Sequence, residues 1–406
     1  MIRTGLALIS ALLSLSILSK AQAQFAAADA VDAQINEAVE TGLIPGAVLV
    51  IGHDGRVIYH KAYGYRSLIP KREPMTEDTI FDAASLTKVI ATTPCLMKLF
   101  EQGKLRLDDP VTKYLPEFQG GKSDITVRNL MTHFSGLAPD LILRPKWSGY
   151  ETGIQKALVD KPTAPPGARF VYSDINFILL GEIVRRLSGE TLAKYAHEEI
   201  YAPLGMNDTL FQPPAALKNR VAPTEIDEDT GQPLLGVVHD ETSRFMGGIA
   251  GHAGLFTTAA DLSRFAQMML GLGAWVDPAT GKEVRIFSPL TVRKFTEPGS
   301  PADQGVIRAL GWDIDSPFSS NRGELFPIGS YGHTGFTGTS LWMDPSTQTY
   351  VIVLTNVVHP KRGKSLSSFR SRLATTVAAS LGIDVPGVTL TGYNETMTGA
   401  GIHRVV

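Results

Sequence analysis

The chain has 406 residues, 43% of them hydrophobic and 19% charged, the balance of a globular protein able to bury a large core. Its formal net charge of −2 supplies neither a basic stripe for nucleic acid nor a polybasic segment for an anionic membrane. Cys95 is the only cysteine, which excludes an intramolecular disulfide.

The first segment does not read as part of the fold. Met1-Ile2-Arg3-Thr4 is a short basic start, Gly5 to Leu18 is apolar, and Ser19 to Ala23 ends in the Ala-x-Ala pattern of a signal peptidase site. The apolar run is short for a bilayer span. The expectation is a signal peptide over 1–23, cleaved after Ala23, and a periplasmic or secreted protein without a stable membrane anchor after cleavage. Gly46 to Ile51 then reads as a buried strand, and His53-Asp54-Gly55-Arg56 turns it into a second strand over Val57 to Ala62. Ile80-Phe81-Asp82-Ala83-Ala84 leads into Ser85-Leu86-Thr87-Lys88 and Val89 to Thr93, which reads as a helix and carries Cys95 as a buried structural thiol.

Farther along, Asp174 to Arg186 places Ile175, Ile178, Leu179 and Ile183 on one helical face, with Gly189 as a stop. Thr258-Ala259-Ala260-Asp261 resembles a capping box opening a helix to Leu270. Ala309 to Ile314 reads as a strand. Thr339 to Met343 and Tyr350 to Leu354 flank the turn Asp344-Pro345-Ser346 as a second hairpin, and a last helix runs from Ser365 to about Ser380. Two hairpins separated by a long helical stretch predict an α/β fold. One antiparallel sheet is built from both chain ends and flanked by helices, with an inserted helical lobe. A cleft between sheet and lobe is the natural site. The catalytic domain is expected over 28–383, and the Gly- and Thr-rich segment 384–406 as a tail.

Three segments carry chemistry. On a helix, residues three apart share a face, so the Ser85 hydroxyl and the Lys88 amine become neighbours. A serine hydroxyl is a poor nucleophile until a base takes its proton, and a lysine can do so once desolvation or nearby cations lower its pKa. By itself the match is weak, since about one Ser-x-x-Lys is expected by chance in such a chain. Tyr172-Ser173-Asp174 stands at a helix start. Ser173 and Asp174 suit helix capping there, and Tyr172 is either a core residue or a phenol beside a lysine able to act as base. The third segment, Tyr331-Gly332-His333-Thr334-Gly335-Phe336-Thr337-Gly338-Thr339, sets three glycines before a strand. That pattern fits a tight bend or a backbone that approaches a ligand closely.

In this order and spacing, the three segments resemble the β-lactamase-related serine hydrolases. That group spans class C β-lactamases, low-molecular-mass penicillin-binding proteins (DD-peptidases), family VIII esterases and D-amino-acid amidases. The resemblance runs from about Ile44 to Leu381 and includes Ile125 to Leu137. Val238-His239-Asp240-Glu241 with Gly251-His252-Ala253-Gly254-Leu255-Phe256 is most similar to the penicillin-binding-protein-4B branch. The resemblance implies Ser85 as the acylated nucleophile, Lys88 and Tyr172 as shared general base and acid, and the amides of Ser85 and Phe336 as an oxyanion hole. It implies substrate binding by Asp174, His333, Thr334 and Gly335. His333 stands where the family carries lysine, and Asp174 where class C enzymes carry asparagine, and both departures disfavour efficient β-lactam hydrolysis.

An ester or amide is the expected substrate: a cell-wall-derived peptide, a D-amino-acid amide or a short-chain ester. The alternative is a penicillin-binding protein that acylates with little turnover, or a weak β-lactamase. No cofactor and no metal are expected. His239, Asp240 and His252 lack metal-site spacing, and Gly120-Gly121-Lys122-Ser123 lacks the first glycine of a phosphate loop. His133 reads as a residue that packs or caps a turn.

Overall fold

The computed structural model describes residues 25–363 and 365–392, so the expected signal segment 1–23 and residues 393–406 of the expected tail lie outside the described residues. Strand β1 (Gly46–His53) is buried from Gly46 to Gly52, as a strand covered on both faces must be. It pairs antiparallel with β2 (Arg56–Ser67) across the expected turn. β2 in turn pairs with the two-residue edge strand β3 (Glu73–Pro74). From the other end of the chain come β4 (Ile307–Arg308), β5 (Asp313–Asp315), β6 (Tyr331–Thr334), β7 (Ser340–Asp344) and β8 (Thr349–Leu354). They complete one sheet in the order β3-β2-β1-β8-β7-β6-β5-β4. β1 and β8 join the two ends, with Val48 opposite Leu354 and Ile51 opposite Val351.

Alternation along β1 feeds two cores. Leu49 and Ile51 pack with Val31 and Ile35 of α1 (Ala28–Glu40) and with Leu373 and Val377 of the last helix (Ser367–Ser380). Val48 and Val50 join the larger core on the opposite face. That core takes in α2 (Thr93–Glu101), α3 (Asp174–Ser188) and α4 (Ala259–Leu270). Thr258 caps α4 as its sequence predicts, accepting from the Asp261 amide at 3.3 Å. α3 lies at the centre of the helical lobe, with Ile175 to Val184 all buried. Glu182 within it is sealed by Arg185, Arg186 and the Tyr150 hydroxyl.

Three features depart from the sequence reading. α1 was not anticipated, although Val31, Ile35 and Ala38 recur at helical spacing. The single strand expected over Ala309 to Ile314 is two, because Gly311 reverses the chain at φ 90° against Thr93, where a Cβ would meet Thr93 Oγ1 at 2.3 Å. Part of the expected tail is tied to the body: Ile328 N donates to Thr389 O, and Arg322 Nη1 donates to Leu390 O. Among the described residues no helix is long and apolar enough to cross a membrane.

Candidate active site

Ser85 stands on a turn held under tension. Ala84, just before it, takes a positive φ of 47°, which costs a non-glycine residue energy and needs surrounding support. Buried Asp82 supplies it: Oδ1 accepts from the Ala84 amide at 2.9 Å and Oδ2 from the His239 amide at 2.7 Å. The chain makes one 3-10 turn over Ala84–Leu86 and one π turn over Lys88–Thr92 before α2 becomes regular. The expected helix is therefore present with an irregular start, and such wide turns recur at functional sites. Ser85 and Lys88 still meet, with Lys88 Nζ 3.0 Å from Ser85 Oγ.

Lys88 is fully buried and has two further partners. Nζ donates to His252 O at 3.2 Å and forms an ion pair with Asp174 Oδ1 at 2.6 Å. Here the structure corrects the expectation of a lysine with lowered pKa. Burial is the largest influence and pushes the amine down, yet Asp174 and Tyr172 together outweigh it and hold the ammonium above the ordinary lysine range. The capping expected of Ser173 and Asp174 is likewise corrected. Neither caps the helix with its side chain. Ser173 Oγ donates to Ala138 O at 2.6 Å, while the Asp174 carboxylate meets Lys88 from the first turn of α3.

The Tyr172 ring lies 5.0 Å from Lys88 Nζ and stacks on His133 with centroids 4.4 Å apart. His133 has no exposure, ends the helix Val127–Thr132 in the left-handed conformation, and accepts from the Ser173 amide through Nδ1 at 3.0 Å. Burial keeps it neutral, reinforced by Arg308 and Lys88. It is the platform that sets the plane of Tyr172, a role the sequence reading missed.

β6 and its turn close the other side. The glycine-rich segment precedes the strand β7 as expected; its first four residues form β6, and the rest make the turn between the two. Thr337 Oγ1 donates to Asp82 O at 2.8 Å and Thr339 Oγ1 to Ala83 O at 3.0 Å, which binds this turn to the nucleophile turn. A Cβ on Gly335 would meet Thr339 Oγ1 at 2.1 Å and Ala83 O at 2.6 Å, so the approach requires glycine. His333 is buried, and its Nδ1 donates to Thr334 O at 2.7 Å. Burial, Arg308 and Lys88 hold its pKa well below the usual imidazole range, so it provides no cation for a substrate carboxylate.

Ser85 and Phe336 line two clefts that meet at the nucleophile. One, of about 670 Å³, is acidic and includes Asp140, Glu225, Asp227, Asp240 and Glu241. Asp140 there is pushed up to about 6, first by burial and then by Asp174 and Asp240, against the influence of His252. The other, of about 530 Å³, is bounded by Tyr172, Phe318, His333, Thr334, Gly335 and Arg370. The Phe336 side chain is 59% exposed between the clefts, beside the His239 ring and the Arg362 guanidinium. His239 and His252 are held by Glu225 and Asp240 at 3.0 and 2.8 Å. Lys122 is buried and donates to the carbonyls of Leu158 and Asp160, a structural role. Cys95 is buried, with its thiol pushed up by desolvation.

A family model described as Beta-lactamase matches residues 31–374. The chain is 31% identical over 366 residues to an Escherichia coli (strain K12) protein named "Putative D-alanyl-D-alanine carboxypeptidase", covering 81% of this chain and 82% of that one. It is 34% identical over 365 residues to the N-acetylmuramyl-L-alanine amidase of Bacillus subtilis (strain 168), covering 81% and 80%. Among solved structures it resembles the octameric penicillin-binding protein homologue from Pyrococcus abyssi. The TM-score is 0.68 and the identity 27%, over 88% of this chain and 78% of that one.

Proposed function

This chain belongs to the beta-lactamase family and is a serine hydrolase, and from that premise we propose that it cleaves an ester or amide of cell-wall-derived material through an acyl-enzyme on Ser85. The observation that carries the reading is the 3.0 Å contact between Ser85 Oγ and Lys88 Nζ at the meeting point of two clefts. Ser85 attacks the carbonyl carbon, Lys88 and Tyr172 together serve the removal of its proton, and the amides of Ser85 and Phe336 receive the oxyanion. Thr334, Gly335 and neutral His333 contact the substrate along β6. Cell-wall peptides, D-amino-acid amides and short-chain esters are the substrate classes, and the site of action is periplasmic or secreted. The names of two relatives, a carboxypeptidase and an amidase of the cell wall, support the first class. Neutral His333 weighs against β-lactams, whose carboxylate the family's lysine would meet as a cation.

The test is p-nitrophenyl ester hydrolysis, with mass spectrometry of the enzyme and fluorophosphonate labelling followed by peptide mapping. Sustained release with a tag on Ser85 is expected, and Ser85→Ala should lose both. A tag on another serine would sink the assignment. A single stoichiometric burst would identify instead a penicillin-binding protein that acylates without turnover.

A further inference from the structure

Lys88 Nζ donates to Ser85 Oγ at 3.0 Å and to His252 O at 3.2 Å, and it stands 2.6 Å from Asp174 Oδ1 as an ion pair. A carboxylate at that distance favours the charged form of the amine. Resting on the acyl-enzyme reading above, we propose that Asp174 is a positioning residue. It draws Lys88 onto Ser85 Oγ and keeps it an ammonium, so that Lys88 works as a fixed cation beside the nucleophile. Lys88 keeps all of its protons throughout and stabilises negative charge on Oγ.

The surroundings of Lys88 are consistent with a single anchor. From the start of α3 it faces Asp174 and the Tyr172 ring. From the loop before α4 it faces the His252 carbonyl, whose imidazole is held by Asp240. His133 and His333 lie near enough to be depressed by it, and Arg308 acts on the same two histidines. The histidines and Arg308 bring no negative charge. Asp174 is the carboxylate in direct contact with the amine.

The experiment is the pH profile of kcat/KM for p-nitrophenyl acetate, from pH 6 to 10, in wild type, Asp174→Asn and Asp174→Glu, with Ser85 labelling rates beside it. Asparagine keeps the shape and removes the charge, so the ammonium loses its proton at lower pH. The expected result is a new alkaline limb in Asp174→Asn, with a loss relative to wild type at least about tenfold greater at pH 9 than at pH 6. Asp174→Glu, which keeps the charge, should retain a wild-type alkaline limb even if its overall rate falls. A loss in Asp174→Asn by the same factor at every pH would reduce Asp174 to mere support. A gain near neutral pH would show that Lys88 must be neutral, and either result overturns the proposal while leaving Ser85 labelling intact. Absence of Ser85 labelling in wild type would instead remove the acyl-enzyme reading and this inference together.

Discussion

Asp82 is the residue on which the nucleophile turn depends, and Asp82→Asn tests it with almost no change of volume. Two amides, one from buried Ala84 and one from half-buried His239, each donate to one carboxylate oxygen, at 2.9 and 2.7 Å. Asparagine offers one oxygen and one NH2, so one of the two amides must face a donor. An orphaned buried donor costs about 1–3 kcal/mol. Burial holds the Asp82 carboxyl above its ordinary range, so a neutral asparagine offsets part of that cost, and the expected net loss of stability is about 1–2 kcal/mol by urea unfolding. Asp82→Ala, which orphans both amides, should cost more. Activity should fall separately. Ala84 is strained, and without its tie the turn relaxes and carries Ser85 with it. A displacement on the scale of 1 Å typically costs about a hundredfold in rate. Ester hydrolysis at a temperature where both proteins are fully folded isolates that term. If Asp82→Asn unfolds within about 0.5 kcal/mol of wild type and keeps its kcat/KM, neither amide needs the carboxylate and the reasoning fails.

Other consequences follow from the charges around the site. Because His333 is held neutral by burial beside Arg308 and Lys88, a matched neutral and anionic ester should give parallel profiles from pH 5.5 to 8.5. His333→Lys should destabilise the fold by burying a third cation, not sharpen carboxylate binding; a selective gain on the anionic ester would overturn this. Asp140 binds its proton more tightly in the fold than in the unfolded chain, so its charge opposes folding above about pH 6, and stability recovers as pH falls through that value. Asp140→Asn should accordingly raise the melting temperature at pH 8, with a gain of up to about 3 kcal/mol, falling to about half of that at pH 5 and to almost nothing near pH 3. A pH-independent difference would refute that origin. Lys88→Ala and Tyr172→Phe should each lower kcat by about 10²–10⁴, and the double variant little further, since both serve one proton transfer. Additive losses, read by single-turnover kinetics, would show that they serve separate steps.

The sheet was legible because its pattern is local. The runs Gly46 to Ile51 and Tyr350 to Leu354 are apolar enough to be central strands, and their turns carry the expected residues. Ser85, Lys88 and Tyr172 were legible through spacing and resemblance, and the structure brings them to one place. What spacing could not disclose is which charge each side chain meets. Asp174 read as a cap or a substrate contact because its partner, Lys88, lies 86 positions earlier in the sequence and approaches from another helix. His133 read as a turn residue, which it is; its stacking on Tyr172 follows from the left-handed end of a short helix. Asp82 gave no signal, since a lone aspartate before a helix suggests a cap and nothing about an amide donated from His239.

The hydroxyls of Thr337 and Thr339 reach carbonyls 255 and 256 positions away in the sequence. A growing chain that stops short of Tyr331 already contains Ser85, Lys88 and Tyr172. It lacks the Phe336 amide, the turn that braces Ala83, and the strand β8 that β1 must pair with. Closing so long a loop is entropically costly and comes late in folding. A nascent or clipped polypeptide is thereby disarmed, able to carry the nucleophile but not to deploy it. Reactivity arrives only with the last strands, in the same step that makes the molecule whole.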